Sequence, residues 1–378
     1  MKVYLDNAST TSVSKEVFDV MLPFFMENFG NPSSLHELGI KNRKVINQSR
    51  KKIAELLNCK KTEIHFTSCG TESINWALKG LAFQNNTKYE IITTNIEHHA
   101  TSETCMFLEN LGFTINYLKV DKKGFINTNE LRNMINNNTL VVSIIMANNE
   151  IGTIQNIKEI SEICDQARTY LHVDAVQAIC HTKINLETLN VDLLSISGHK
   201  FHGPKGIGIL YIKEGTHICN LIHGGQQELK RRAGTENVPF IVGLTKALDV
   251  GISNLEQYTK RLNEYSKLFL DRLDKEEIDY ILNGPNIGEN RLPGNLNISF
   301  KNLDGLELTY LLDKRGIFVS TGSACDSESI EPSHIIKAIG VPGDYINSTI
   351  RFSIGNETTL KELNYVIDNL IDILKNEI

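Results

Sequence analysis

A chain of 378 residues exceeds the usual single-domain size, so one large domain with a satellite, or two unequal domains, is expected. Hydrophobic residues make up 41% and charged residues 22% of it, an ordinary globular composition that excludes a disordered or fibrous chain. The 39 basic residues against 45 acidic ones give a formal charge of −6, which withholds the basic surface that nucleic-acid binding needs. Seven scattered cysteines without CxxC or Cys/His spacing exclude a structural metal and point to a reducing compartment. The start lacks the apolar core of a signal peptide, and no apolar run approaches the roughly 18 residues needed to span a membrane. A cytoplasmic protein is expected.

In chain order, a helical pattern at 38–57 precedes a strand at 63–66, a helix at 71–81 and a strand at 89–93. A helix at 97–111, strands at 113–120 and 140–147 and a helix at 157–167 follow, then strands at 170–176, 191–196 and 208–212. Most of these helices end at Gly or Asn. The runs Val-Val-Ser-Ile-Ile-Met-Ala at 141–147 and Leu-Leu-Ser-Ile-Ser at 193–197 are nearly continuous rather than alternating, as expected where helices cover both faces of a sheet. The class is therefore α/β. The pattern changes after about Gly251 to an amphipathic helix at 255–273, short strands at 296–300 and 317–320, and a terminal helix at 360–374, which predicts a second, smaller domain.

In open α/β sheets ligands bind beyond the carboxyl ends of the strands, and these ends carry reactive residues. Cys69-Gly70-Thr71-Glu72-Ser73 leads from a strand into a helix, where free N–H groups and the Thr71 hydroxyl suit a phosphate, although an ordinary helix cap reads the same way. Glu97-His98-His99, the run Asn-Asn-Glu-Ile-Gly at 148–152, Asp174 with Gln177, and Ser197-Gly198-His199-Lys200 occupy the successive ends. Any one of them could be a capped or solvated turn. Together they supply a phosphate cradle, a carboxylate, an imidazole and a lysine, the partners that pyridoxal 5'-phosphate requires. A nucleotide reading fits worse, because the glycines at 203–208 lack GxGxxG spacing and no GxxxxGK[ST] occurs.

With these motifs, and with Tyr-Leu-Asp-Asn-Ala-Ser-Thr-Thr at 4–11, Gly-Asn-Pro-Ser-Ser at 30–34, Arg-Ala-Gly-Thr at 232–235, Ser-Ala-Cys at 323–325 and Ile-Arg-Phe-Ser at 350–353, the chain resembles the NifS/IscS-like cysteine desulfurases nearly end to end. These belong to the class-V aminotransferase branch of fold-type I enzymes that use pyridoxal phosphate. The resemblance implies a large domain at 15–253 with a mostly parallel seven-stranded sheet flanked by helices, and a smaller α+β domain formed by 1–14 and 254–378. It makes Lys200 the lysine that bonds the cofactor, Asp174 the partner of the ring nitrogen, His98 the stacking residue and Gln177 the donor to the ring oxygen. Gly70, Thr71, Ser197 and His199 would hold the phosphate, with Thr235 reaching in from the partner subunit of a homodimer.

Asn149 would contact cofactor and substrate, and Arg351 would bind the substrate carboxylate. Cys325, in a loop of small residues, would take sulfur from L-cysteine as a persulfide, leaving L-alanine. The persulfide would pass to an acceptor protein, either an iron–sulfur scaffold or a thiolation protein; no metal is implied. Asp326 follows the nucleophile where Thr, Ser or Asn is commoner in the family, and should disfavour the thiolate by like charge. Two alternatives remain open on the residues alone: a selenocysteine lyase or other class-V enzyme sharing Lys200 and Asp174, and a non-catalytic sulfur-relay platform on the same fold.

Overall fold

The structure, a computed structural model, describes residues 1–85, 87–322 and 332–377. Its strands in chain order are β1 (Val3–Tyr4), β2 (Ile64–Thr67), β3 (Glu90–Thr94), β4 (Thr114–Leu118), β5 (Thr139–Ile145), β6 (Tyr170–Asp174), β7 (Leu193–Ser197), β8 (Gly208–Ile212), β9 (Tyr280–Leu282), β10 (Asn295–Phe300), β11 (Ile317–Phe318) and β12 (Thr349–Ser353). β2 to β8 form one seven-stranded sheet in the order β2-β8-β7-β6-β5-β3-β4. Only β8 runs against its neighbours β7 and β2. β2, β3, β5, β6 and β7 therefore all end on one edge, which places the successive polar clusters side by side.

The sheet is as apolar as its sequence because both faces are covered. β5, β7 and β8 are buried along their whole length. On one side they pack against Ile53 and Leu57 of the helix Glu37–Leu57, Ile163 of Ile157–Ala167 and Leu244 of Val238–Ser253. The other side meets Ile74, Trp76 and Leu78 of the helix Gly70–Gln84 and Leu108 of His99–Glu109. A separate core joins Val3 and Leu5 to Phe269, Phe300, Phe352 and Leu370. It is built on the antiparallel sheet β12-β10-β9 and the parallel pair β1-β11, so the first residues pack with the last third of the chain. Among the described residues, no single helix is long and apolar enough to cross a membrane.

Several elements lie outside the sequence expectation. β1, β9 and β12 and the helix Val238–Ser253 are additional, and the strand expected at 317–320 shortens to Ile317–Phe318 with an isolated bridge from Ser320 to Arg351. β12 alternates, sending Ile350 and Phe352 into the second core while Arg351 faces the opposite way, toward the sheet edge. The helix expected from residue 97 begins at His99, because the His98 ring Nδ1 accepts the Ala100 N–H at 3.0 Å and caps it. Glu97 and His98 are thereby left in the turn between strand and helix.

The segment at 224–235 departs most from regular backbone. Glu228, Leu229 and Lys230 all have positive φ, at 47°, 58° and 70°, an unfavourable conformation for side chains other than glycine. Glu228 holds it there. Its buried carboxylate takes both Nη atoms of Arg50 at 2.8 Å and the Phe66 N–H at 2.9 Å. Removing one partner of such a pair strands a charge in the interior. Arg50→Met should therefore lower unfolding free energy by about 3 kcal/mol in urea titration. Loss of less than about 1 kcal/mol would show that the pair does not hold this segment.

Candidate functional site

β2 ends in a tight passage to the helix Gly70–Gln84. Cys69 caps that helix through its sulfur, which accepts the Glu72 N–H at 3.5 Å, and the first-turn N–H groups of Gly70 and Thr71 point out of the helix end. Glycine is required at 70: a Cβ there would lie 2.8 Å from Val176 Cγ2 and 3.3 Å from Ser197 Cβ. The resulting cavity is walled by Cys69, Gly70, Thr71, His98, Asp174, Ser197 and His199, with Ile74 and Val176 as its apolar part. One end thus presents helix N–H groups, a hydroxyl and an imidazole, which suits a phosphate dianion. The other presents a carboxylate beside an aromatic ring, which suits a cationic heterocycle.

Asp174, the last residue of β6, is 3% exposed and its Oδ1 accepts the Val176 N–H at 2.9 Å. Burial pushes its carboxyl up to about 6, against the opposing effects of that N–H and of Lys200. Glu97 is more deeply enclosed. Its Oε1 takes the Thr94 hydroxyl at 2.6 Å and the Ile145 N–H at 3.0 Å, and burial, with Asp174 adding to it, pushes it up to about 8. At neutral pH Glu97 is a neutral acid beneath the site while Asp174 is mostly ionised. Burial, then the Lys200 cation, depresses the His199 imidazole to about 4, so it acts there as a neutral ring.

Lys200 follows β7 in a short 3-10 turn, Gly198–Lys200. Its Nζ donates to Ala8 O at 2.6 Å and Ser9 O at 2.8 Å, Gln177 Nε2 donates to Ala8 O at 2.6 Å, and His199 Nδ1 pairs with Thr10 Oγ1 at 3.1 Å. Lys200 and Gln177 line a second, adjoining cavity with Asn7 and Ala8, between the two cores. Arg351 comes to the same turn from β12. Its guanidinium, 1% exposed, donates to Asp6 Oδ1 at 2.8 Å, Ser9 Oγ at 2.6 Å and Asn149 O at 3.2 Å.

Gly70, Thr71, His98, Asp174, Ser197 and His199 thus share one cavity, Lys200 and Gln177 adjoin it, and Asn149 and Arg351 are bonded to each other. Thr235 lies apart, exposed and in neither cavity. Cys325 lies outside the described residues. Burial pushes the thiols of Cys59, Cys105 and Cys164 up to about 12 and raises that of Cys180 as well, which leaves them inert at neutral pH. Glu97, Asp6, Ala8 and Ser9 stand in the sequence only as members of the run Glu97-His98-His99 and the motif at 4–11, with no role of their own. Glu97 adjoins His98, and the polar run following Val3, Tyr4 and Leu5 is the signal that marks the others.

The class-V aminotransferase family model matches residues 3–366. Proteins named cysteine desulfurase IscS from Dictyoglomus turgidum and Methanosarcina thermophila are each 49% identical to this chain over 99% of it, and over 95% and 92% of their own lengths. Among solved structures, a NifS-like protein superposes with a TM-score of 0.93 at 39% identity over 99% of both chains. The structure of SspA in complex with cysteine does so at 0.82 and 36% identity, over 93% of this chain and 98% of its own.

Asp174 and Glu97 both retain protons that the unfolded chain releases near pH 4, so folding takes up protons and stability falls as pH rises. In the cofactor-free protein the fall should run from about pH 4 through about 6 for Asp174 and about 8 for Glu97. Glu97→Gln should raise stability at pH 7.5 by roughly 2 kcal/mol and flatten the upper part of that slope. An unchanged slope in denaturant titrations at several pH values would contradict a buried, proton-holding Glu97.

Proposed function

As a member of the class-V aminotransferase family, in its NifS/IscS-like cysteine desulfurase branch, the chain carries a site that we propose binds pyridoxal 5'-phosphate and removes sulfur from L-cysteine. The observation that carries this reading is the meeting of Lys200 and Arg351 on the turn at residues 6–9, with Asp174 in the cavity beside Lys200. Helix N–H groups at Gly70 and Thr71, the Ser197 hydroxyl and neutral His199 hold the phosphate. Asp174 pairs with the ring nitrogen and keeps it protonated, which recovers the cost of burying a carboxylate there. His98 covers a face of the ring, Gln177 donates to its oxygen, and Asn149 meets both cofactor and substrate. When bound, the cofactor supplies an electron sink for the substrate Cα–H bond.

Arg351 binds the substrate carboxylate, as a planar, permanently charged donor suits. Lys200 would hold the cofactor covalently, and its amine is the base placed to take the substrate α-proton. The Cys325 thiolate then attacks the substrate sulfur: an S–S bond forms, the Cβ–S bond breaks, and its electron pair is protonated at carbon, so that alanine leaves and Cys325 keeps a persulfide. The persulfide passes to an acceptor protein, an iron–sulfur scaffold or a thiolation protein. The free state of the six described cysteines agrees with a reducing cytoplasm.

The active form is a homodimer in which Thr235 completes the partner's phosphate site. Phe18, Phe25, Met26, Phe29 and Leu35 are about half exposed or more, a concentration of apolar side chains in one short stretch that calls for cover by a second copy. Leu229, also exposed, borders a cavity with Pro32 and Ser33, so this stretch adjoins the segment bearing Thr235. Light scattering should show a dimer. A cofactor-saturated, active monomer would remove the role given to Thr235.

Cys325→Ser separates cofactor binding from sulfur removal. The variant should retain pyridoxal phosphate, fixed by borohydride on Lys200, and should still change its visible spectrum with L-cysteine, while sulfide release falls below detection. Normal turnover by the serine variant, or a pyridoxyl group mapped to another lysine, would overturn the assignment.

A further inference from the structure

Arg351 already holds a carboxylate. Its Nη2 donates toward both Asp6 Oδ1 at 2.8 Å and Ser9 Oγ at 2.6 Å, and Ser9 Oγ itself donates to Asp6 Oδ1 at 2.8 Å, so the two acceptors crowd one nitrogen. Nη1 donates to Asn149 O, and Nε is buried without a partner. A carboxylate can grip a guanidinium with two parallel bonds only through Nη2, paired with either Nη1 or Nε, because the Nε–H and the Nη1 hydrogens diverge. An incoming carboxylate held bidentately must therefore share Nη2 with Asp6 and Ser9, and meets the Asp6 charge there.

We propose that Asp6 is a positioning residue that occupies the carboxylate subsite of Arg351 until a substrate carboxylate replaces it on Nη2 and satisfies the buried Nε. The inference rests on Arg351 as the substrate's anchor. Asp6 neutralises a guanidinium that would otherwise be buried unpaired, so the empty site stays folded and closed to water. The cost is competition, since each ligand must displace an internal anion. Only a ligand with its own carboxylate restores what it removes, so the exchange selects α-amino acids over simple aminothiols.

Spectral titration of the cofactor-loaded protein tests this with two probes: L-alanine, which has the amine and carboxylate, and cysteamine, which has the amine and thiol without a carboxylate. Asp6→Asn keeps an acceptor for Nη2 but removes the competing charge. It should tighten L-alanine by about tenfold, the worth of one charge-assisted hydrogen bond, and leave cysteamine unchanged. Ser9→Ala removes one of the two acceptors on Nη2 and should tighten L-alanine by roughly threefold, which decides the matter if Asp6→Asn does not fold. Unchanged or weaker L-alanine binding in these variants, or equal tightening of cysteamine, overturns the proposal. Arg351→Lys in the wild-type background separates the two levels. If it weakens L-alanine while the Asp6 and Ser9 variants do not tighten it, only the role of Asp6 falls; if it leaves L-alanine unaffected, Arg351 is not the anchor and both readings fall.

Discussion

The turn at residues 6–9 joins the two halves of the site. Its Ala8 and Ser9 carbonyls hold Lys200 and its Ala8 carbonyl holds Gln177, both at the edge of the large sheet, while Asp6 and Ser9 hold Arg351 on β12. The Asn7 side chain donates to Ser353 O at 2.8 Å and the Ala8 N–H to Ser353 Oγ at 3.0 Å, which fixes the turn to the same strand. Close packing seals the joint, for a Cβ on Gly355 would fall 2.6 Å from the Asn7 side chain. The segment at residues 6–9 thus sets the spacing between Lys200 and Arg351. The small second core exists in part to hold it, through Val3 and Leu5.

Sheet topology supplies the other constraint. Because β2, β3, β5, β6 and β7 point the same way, their ends bring a helix N-terminus, Asp174, His98 and His199 into one cavity, with Glu97 and Lys200 next to them in the chain. Charges so gathered are costly without a ligand. The fold meets that cost by keeping Glu97 and His199 neutral and by leaving Asp174 near its own titration point. A cationic ring seated against Asp174 would convert the same burial into binding energy.

How much of this the sequence shows depends on the range over which each feature is decided. Each strand of the large sheet is found where its apolar run lies, near-continuous in β5 and β7 and interrupted by polar residues in the edge strands β2 and β4. β1 and β9 are too short to carry a period, and in β12 a central arginine interrupts the apolar signal although the strand alternates regularly. The strand-end residues from Gly70 to Lys200 are legible because topology alone brings them together. Asp6 and Ser9 are not, since their partner Arg351 stands some 340 residues away and pairing at that separation leaves no local pattern. Glu97 shows the same limit for burial, because nothing in Glu-His-His tells which of the three is sealed from water.

On the proposed function, these residues work on L-cysteine as a sulfur donor. Incubating the cofactor-loaded protein with L-cysteine and a thiol reductant, and quantifying alanine and sulfide in the same samples, tests it most directly. Equimolar alanine and sulfide, accumulating over several turnovers, are the predicted result. A keto acid formed without sulfide would place the protein among transaminating members of its family and contradict the account.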